Sequence, residues 1–198
     1  MRNRGPRFRN AVRALALLLA LRPGLAAAAE PMPLKPDLQL PLILKILTYD
    51  RHFESKAGRE VVVGIVYAPE DPSSVAAANE VGDILFRFQD KTVKRLPIRY
   101  RLVEYRTPEG LERTITRWGI SVLWVAPGNA KNIAGITGIS QAKGVTTTTG
   151  VPEYVRRGLS VGLGLNDDRP QILINLASAR AEGSEFDASL LRISVPVK

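Results

Sequence analysis

The chain of 198 residues has no cysteine and a single histidine, His52. The missing thiols exclude disulfides, thiolate metal sites and cysteine nucleophiles. One histidine cannot supply a structural zinc site either. Catalysis by His52 would need an orienting acid and a nucleophile, and no motif of the chain marks them. We therefore expect no enzymatic activity, no bound metal or cofactor, and a structural or surface role for His52.

Long hydrophobic runs are also missing, since no apolar stretch approaches the roughly 20 residues that a membrane-spanning helix needs. The apolar run Ala14–Leu21 follows five arginines and precedes the small residues Ala26–Ala29. This order of basic tip, short apolar run and small-residue exit predicts a signal peptide over residues 1–29, cleaved near Ala29. A basic amphipathic surface segment is the alternative, because Arg22 interrupts the pattern. We expect a periplasmic protein that does not itself span the membrane.

The excess of positive charge belongs mostly to that predicted export segment. Residues 1–29 hold six arginines and no acidic residue, so that without them Lys plus Arg falls from 28 to 22 against 19 acidic residues. The net charge then falls from +9 to +3. The remaining basic clusters lie among acidic neighbours, which favours solvated faces over a surface that follows phosphates. The charge pattern therefore predicts no nucleic-acid partner.

The remainder of the chain predicts a short proline-rich tail and one α/β domain. Residues 30–37 contain three prolines and should be extended, and residues 38–198 form the domain. Apolar spacing predicts helices at 38–53, 71–88, 108–118, 129–141, 151–157, 177–182 and 187–193, with Pro41 in the first turn of the first helix. Apolar and β-branched runs predict strands at 60–68, 98–105, 120–125, 145–149, 159–165 and 171–176, the second of them near a sheet edge.

This alternation of strand and helix predicts the fold class. We expect a single domain with a mostly parallel sheet, flanked by helices, and a C-terminal antiparallel hairpin. The hairpin should turn at Asn166–Pro170, where Asp167 and Asp168 favour a tight turn over a cation site.

Two short segments are candidates for ligand or partner contact. Thr146, Thr147, Thr148 and Thr149 place hydroxyls at a predicted strand end before Gly150, and ligands of parallel sheets approach such ends. The alternative is that threonine simply favours strands. Tyr154, Arg156 and Arg157 could grip an acidic partner, or form a solvated helical turn.

The span Gly144–Ile193 resembles the C-terminal half of the YfiR family of exported bacterial proteins. The matching residues are Val145-Thr146, Gly158, Ile174-Asn175, Ala179, Gly183 and Ser189-Leu190-Leu191. The segments Ile43–Phe53 and Val61–Tyr67 also stand where the family has its first helix and strand. The chain departs from the family in lacking cysteines, in having Thr149 at the place of an aspartate, and in having Glu54-Ser55-Lys56 at the place of an aromatic-Pro pair.

The resemblance implies a non-enzymatic periplasmic regulator. Such a protein restrains a membrane-bound diguanylate cyclase by binding its periplasmic portion, often as a homodimer, and so lowers cyclic-di-GMP and biofilm formation. The missing cysteines put a redox-sensing mode in doubt. Two other functions stay open at this point. One is a periplasmic protein that binds a small solute at the threonine strand end, and the other is an exported hydrolase that would depend on acidic residues alone.

Overall fold

The computed structural model describes residues 30–197. The predicted signal peptide, residues 1–29, lies outside this range. Within it, no helix is long and apolar enough to cross a membrane. The helices are α1 (Pro36–Leu47), α2 (Phe53–Ala57), α3 (Pro72–Arg87), α4 (Pro108–Trp118), α5 (Ile133–Lys143), α6 (Pro152–Arg156), α7 (Leu176–Ala181) and α8 (Ala188–Ile193). The strands are β1 (Val61–Tyr67), β2 (Thr92–Val93), β3 (Leu96–Glu104), β4 (Val122–Val125), β5 (Thr146–Thr149), β6 (Val161–Asn166), β7 (Arg169–Asn175) and β8 (Ser194–Val197).

The eight strands form one sheet in the order β2-β3-β1-β4-β5-β6-β7-β8. All neighbouring pairs are parallel except β2–β3 and β6–β7. The predicted α/β class and the C-terminal hairpin β6–β7 are therefore confirmed. Asp167 and Asp168 have φ angles of 48° and 60° and make the hairpin turn, a conformation that tight two-residue hairpins require.

Both faces of the sheet are covered, which explains the nearly continuous apolar run of β1. Its side chains alternate between two cores, with Val61, Val63 and Ile65 packed towards α1 and α3. Val62 and Val66 pack on the other face with residues of α4, α5 and α6. A central parallel strand has no solvent-facing side, so its sequence shows no polar alternation.

The first predicted helix is wrong in its bounds and in the place of its proline. The region 38–53 forms two helices, because α1 ends at Leu47 and α2 starts at Phe53. The intervening Asp50 is fully buried and accepts hydrogen bonds from the amides of His52 and Glu185, which fixes a turn there. Pro36 occupies the first turn, whereas Pro41 lies inside α1 on its exposed side.

Two edge strands were missed by the sequence patterns. β2 has two residues and pairs only with Leu96 and Pro97 of β3, so β3 lies near the sheet edge as predicted. β8 adds to the opposite edge, parallel to β7. It contains Pro196, which lacks a backbone donor and argues against a strand in a short sequence window, yet an edge strand tolerates it.

Candidate functional site

The four threonines of β5 lie inside the protein, and each has an exposed fraction of 0%. The hydroxyls of Thr148 and Thr149 donate to the carbonyls of Leu123 and Val125, both at 3.0 Å. Because β5 lies between β4 and β6, these two hydroxyls form hydrogen bonds within the sheet. A role for the four threonines in ligand or partner contact stays a prediction.

At the amino end of β5, Thr147 contacts a buried acid that sequence reasoning missed. Glu182, at the end of α7, is fully buried. Its carboxylate accepts from the Thr147 amide at 2.9 Å, the Thr147 hydroxyl at 2.7 Å and the Ser140 hydroxyl at 2.8 Å, and also from the hydroxyl of Ser160. Burial raises the pKa of Glu182, while the donated hydrogen bonds oppose that shift.

A buried cation completes this amino end. The ammonium of Lys56 donates to the hydroxyls of Thr146 and Ser184, both at 2.6 Å, and lies 3.3 Å from the carboxylate of Asp50. Burial lowers the pKa of Lys56, and the nearby Asp50 opposes that shift. We call Asp50, Lys56, Thr146, Thr147 and Glu182 the buried polar cluster.

The opposite, carboxyl end of the sheet has a topological switch point. The chain leaves β1 for β3 on one side and returns to β4 on the other, so that the strand order reverses between β1 and β4. In open α/β sheets, ligands bind outside the carboxyl ends of the strands at such a switch point. Here the residues after β1 and β4, at 68–71 and 126–129, flank it. We call this the switch-point crevice.

Four hydrogen-bonding groups meet at the switch-point crevice. The Tyr154 side chain is 1% exposed, and its hydroxyl accepts from the amide of Asn129 at 2.7 Å. The same hydroxyl donates to the carboxylate of Glu30, in the tail that precedes α1. The amide of Gly128 donates to the same Glu30 oxygen at 2.8 Å. A carboxylate therefore occupies the crevice, held by one backbone amide and one phenol.

The loops on either side of the crevice are tightly fitted to each other. Gly128 has a φ angle of +82°, and a Cβ there would lie 2.5 Å from a carboxylate oxygen of Asp71, so only glycine fits. Asp71 caps α3 by accepting from the hydroxyl of Ser73 and from the amides of Ser73 and Ser74, and these hydrogen bonds, that of the hydroxyl first, lower the pKa of Asp71. Its charge is thus engaged with the start of α3.

The remaining predicted contact residues separate in space. The Arg157 guanidinium donates to the carbonyl of Ala130 at 2.6 Å, next to the loop that carries Gly128. Arg156 is exposed and pairs with Glu153 at 3.4 Å. Tyr154 and Arg157 therefore flank the switch-point crevice, and Arg156 faces solvent.

His52 lies at the surface, with a side chain that is 55% exposed. One ring nitrogen contacts the carbonyl of Gly183 at 3.2 Å, and the other lies 3.6 Å from the Glu185 carboxylate. Within residues 30–197, no group of three or more acidic, histidine or cysteine side chains could hold a metal ion.

A third feature is the exposed edge of β3, which Phe86 of α3 and Leu102 flank on one face of the sheet and Trp118 of α4 flanks on the other. Their exposed fractions are 63%, 47% and 43%. The guanidinium of Arg101 lies 4.6 Å from the centre of the Trp118 ring, and that of Arg117 lies 5.2 Å from it. We call these five residues the β3 edge surface. It combines apolar area with positive charge, the composition that favours a protein partner.

A family model described as YfiR/HmsC-like matches residues 42–195 of the chain. The chain belongs to the YfiR/HmsC-like family. The family is regulatory and periplasmic, and it is not a known family of enzymes. Membership confirms the resemblance derived from the sequence, and it suggests a periplasmic regulator. A comparison with curated proteins finds no match.

Solved structures share the fold of this YfiR/HmsC-like protein at low identity. An ABC domain from Streptococcus pneumoniae in complex with L-Trp is 12% identical, with a TM-score of 0.56 over 83% of this chain and 60% of that chain. A conserved domain protein from Vibrio cholerae is 13% identical, with a TM-score of 0.58 over 82% of this chain and 60% of that chain.

A third structure is the ligand-free, open form of a substrate-binding protein with adhesive properties from Clostridium difficile. It is 15% identical, with a TM-score of 0.50 over 74% of this chain and 57% of that chain. The YfiR/HmsC-like chain thus spans less than two thirds of the length of each of these three proteins. At these identities the likeness shows the fold alone.

Sequence reasoning missed Glu182, Lys56, Glu30 and the β3 edge surface. Glu182 is an acid in a short, otherwise ordinary helix, and only the packing of α7 beside β5 makes it buried. Glu30 stands in the predicted tail, where nothing in the sequence marks a contact with Gly128. The Trp118 ring was assigned only to the end of a helix. In each case the informative signal is a contact over a long sequence separation.

Proposed function

We propose that this protein is a non-enzymatic periplasmic regulator that binds the periplasmic portion of a membrane-bound diguanylate cyclase and restrains its activity. Binding would lower cyclic-di-GMP and, with it, biofilm formation. Family membership supports a periplasmic regulatory role. Export by cleavage near Ala29 belongs to this proposal, because the partner's sensor portion lies in the same compartment.

The observation that carries this proposal is the β3 edge surface. β2 pairs only with Leu96 and Pro97, so no described strand covers the outer edge of β3 from Ile98 to Glu104. An open strand edge offers free backbone donors and acceptors to an added strand. Beside this edge, exposed Phe86 and Trp118 supply apolar anchors of the kind that dominates binding energy at interfaces.

Charge indicates the chemistry of the partner segment. Arg99 and Arg101 project from β3 and are exposed, and Arg117 adds a third guanidinium from α4. An extended segment with acidic side chains complements them, because opposite charges across an interface favour encounter and register. We therefore propose that an acidic extended segment of the cyclase's periplasmic portion pairs with β3.

Two matched substitutions test this surface. Leu102 in β3 and Leu165 in β6 are strand residues with exposed fractions of 47% and 40%, on opposite halves of the sheet. We expect Leu102→Asp to weaken binding to the cyclase's purified periplasmic portion by at least about tenfold, because it buries a charge against an apolar contact. Leu165→Asp should change it less than about twofold. Calorimetric titration measures both, and equal effects would contradict the proposal.

A homodimer is an alternative occupant of the same edge, because a second copy paired along β3 would exclude the cyclase segment. Two copies that pair along β3 would close the open strand edge, as symmetric pairing requires. Light scattering of the purified protein would then report a dimer that Leu102→Asp converts to a monomer. A dimer that Leu102→Asp leaves intact would free the β3 edge surface for the cyclase.

The second candidate function is binding of a small solute, and the switch-point crevice favours it. The crevice lies where ligands of open α/β sheets bind, and a buried tyrosine hydroxyl and a backbone amide converge on it. Two proteins of similar fold are described as an L-Trp complex and a substrate-binding protein. Thermal shift against a panel of metabolites tests it, because a ligand that binds only the folded state raises the apparent stability.

A further inference from the structure

We infer that the switch-point crevice is a carboxylate-binding site, and that the side chain of Glu30 occupies it as an internal competitor of the true ligand. This inference rests on the solute-binding candidate and names the chemistry of its ligand. The site is distinct from the β3 edge surface, so this inference and the proposed binding to the cyclase can be tested independently.

The geometry around Glu30 is that of a site prepared for a carboxylate oxygen. One oxygen of Glu30 accepts from both the Gly128 amide and the Tyr154 hydroxyl. Tyr154 is 1% exposed and is oriented by the hydrogen bond that it accepts from Asn129. A hydroxyl that already accepts from an amide must place its own proton on a different acceptor. The buried tyrosine is therefore fixed as a donor towards the crevice.

The charges near the crevice are balanced rather than repulsive. On the acidic side, Asp71 accepts three hydrogen bonds at the start of α3, and Glu70 pairs with Lys131 at 2.8 Å. On the basic side, Arg157 is held against the carbonyl of Ala130. These pairings leave the Gly128 amide and the Tyr154 hydroxyl as the groups that bind the carboxylate.

The tail that carries Glu30 is anchored only after that residue, where Met32 packs on the core and the Leu34 carbonyl accepts from the Gln39 side-chain amide. Leu34 is 5% exposed and packs on the core, while Pro31 and Pro33 are exposed. Cleavage near Ala29 would leave Glu30 as the first residue of the exported protein. Releasing a short terminal segment of this kind from the surface costs little free energy of folding. An external carboxylate can therefore replace the Glu30 side chain without disturbing α1.

A second polar group at the same edge lacks a partner. Gln39 of α1 is fully buried, and its side-chain oxygen has no hydrogen-bond donor among residues 30–197. The amide of Gln39 lies against Gly150, directly after β5, where any Cβ would overlap it. An unpaired buried acceptor is costly, so the carboxyl end of β5 holds a second group whose hydrogen bonding is incomplete.

Amide NMR of the ¹⁵N-labelled protein, purified from the periplasm after natural processing, tests the inference. The probe is sodium propionate, which matches the end of the Glu30 side chain. In Glu30→Ala we expect propionate to shift the Gly128 and Asn129 amides saturably. In the unmodified protein it should bind at least about tenfold more weakly, because a tethered carboxylate competes at an effective concentration in the millimolar range.

The matched control is Glu70→Ala, which removes a carboxylate that flanks the crevice but pairs with Lys131 instead of accepting from the Gly128 amide or the Tyr154 hydroxyl. It should leave propionate binding as weak as in the unmodified protein. Equal tightening by Glu70→Ala, or no response of Gly128 in Glu30→Ala, would overturn the inference. If the Gly128 amide ignores propionate while thermal shift detects an uncharged solute, the carboxylate site fails and the solute-binding function stands.

A second arm identifies the source of the carboxylate. A capped peptide with the tail sequence Glu-Pro-Met-Pro-Leu is titrated into Glu30→Ala beside propionate. Tighter binding of the peptide assigns the site to a protein segment that carries an acidic side chain. Equal or tighter binding of propionate assigns it to a free small acid. Both results support a carboxylate site. If neither the peptide nor propionate binds, the inference is overturned.

Discussion

The two ends of β5 hold their polar groups in opposite ways. At the amino end, the carboxylate of Glu182 and the ammonium of Lys56 are surrounded by donors and acceptors that all come from the folded domain. At the carboxyl end, Tyr154 and the Gly128 amide donate to Glu30, which belongs to the tail. A polar network that is satisfied from within stabilises the fold, whereas donors satisfied by a detachable side chain can also bind a ligand.

The largest expected effect at the amino end is that of Glu182→Ala. Four buried hydrogen bonds converge on this carboxylate, and its removal leaves the Thr147 amide, the Thr147 hydroxyl and the Ser160 hydroxyl without this acceptor. We expect the free energy of unfolding to fall by about 4 kcal/mol. Urea denaturation at neutral pH measures it. The control is Glu185→Ala, whose carboxylate is 53% exposed, and it should cost less than about 1 kcal/mol. Equal costs would mean that the buried polar cluster is dispensable.

Lys56→Met should have the next largest effect. The substitution keeps the apolar stem of the side chain but removes the cation beside Asp50, a carboxylate that is fully buried. We expect a loss of about 3 kcal/mol, because an uncompensated charge stays in the interior. Lys131→Met is the matched control, since the Lys131 side chain is 69% exposed and pairs with Glu70 at the surface. That variant should lose about 0.5 kcal/mol. A loss at Lys56 as small as this would show that water reaches Asp50.

Tyr154→Phe should have the smallest effect on stability of these three changes. It removes the hydroxyl that joins the Asn129 amide to Glu30, so we expect a loss of about 1 kcal/mol in urea denaturation. Tyr67→Phe removes a hydroxyl that contacts Glu104 at 3.3 Å near the surface, and it should be nearly neutral. A cost at Tyr154 as large as that at Glu182 would erase the difference between the two ends of β5.

Most of the fold could be predicted from local patterns. The apolar run of β1, the capped α3 and the Asp167-Asp168 turn each depend on neighbours in sequence, and each was found. The break at Asp50 was missed because it depends on a long-range hydrogen bond. The amide of Glu185, 135 residues away, donates to the Asp50 carboxylate. β8 was missed because Pro196 lowers strand propensity, and the sheet edge that tolerates it is visible only in three dimensions.

The sites were less predictable than the fold. The sequence brought attention to Tyr154 and Arg157, which flank the switch-point crevice, but it gave no reason to link them to Glu30. The threonines of β5 attracted attention as hydroxyls near a turn, and their burial depends on the strands β4 and β6 on either side. The sequence shows which side chains are present, whereas the topology of the sheet decides which residues contact them.

The cellular concentration of cyclic-di-GMP tests the proposed regulatory function most directly. It would be measured in the native host after deletion of this protein and after its return as the unmodified chain, as Leu102→Asp or as Leu165→Asp. We predict that deletion raises cyclic-di-GMP, that the unmodified chain and Leu165→Asp lower it again, and that Leu102→Asp, present at equal abundance in the periplasm, does not. An unchanged concentration after deletion would contradict the proposed restraint of a cyclase.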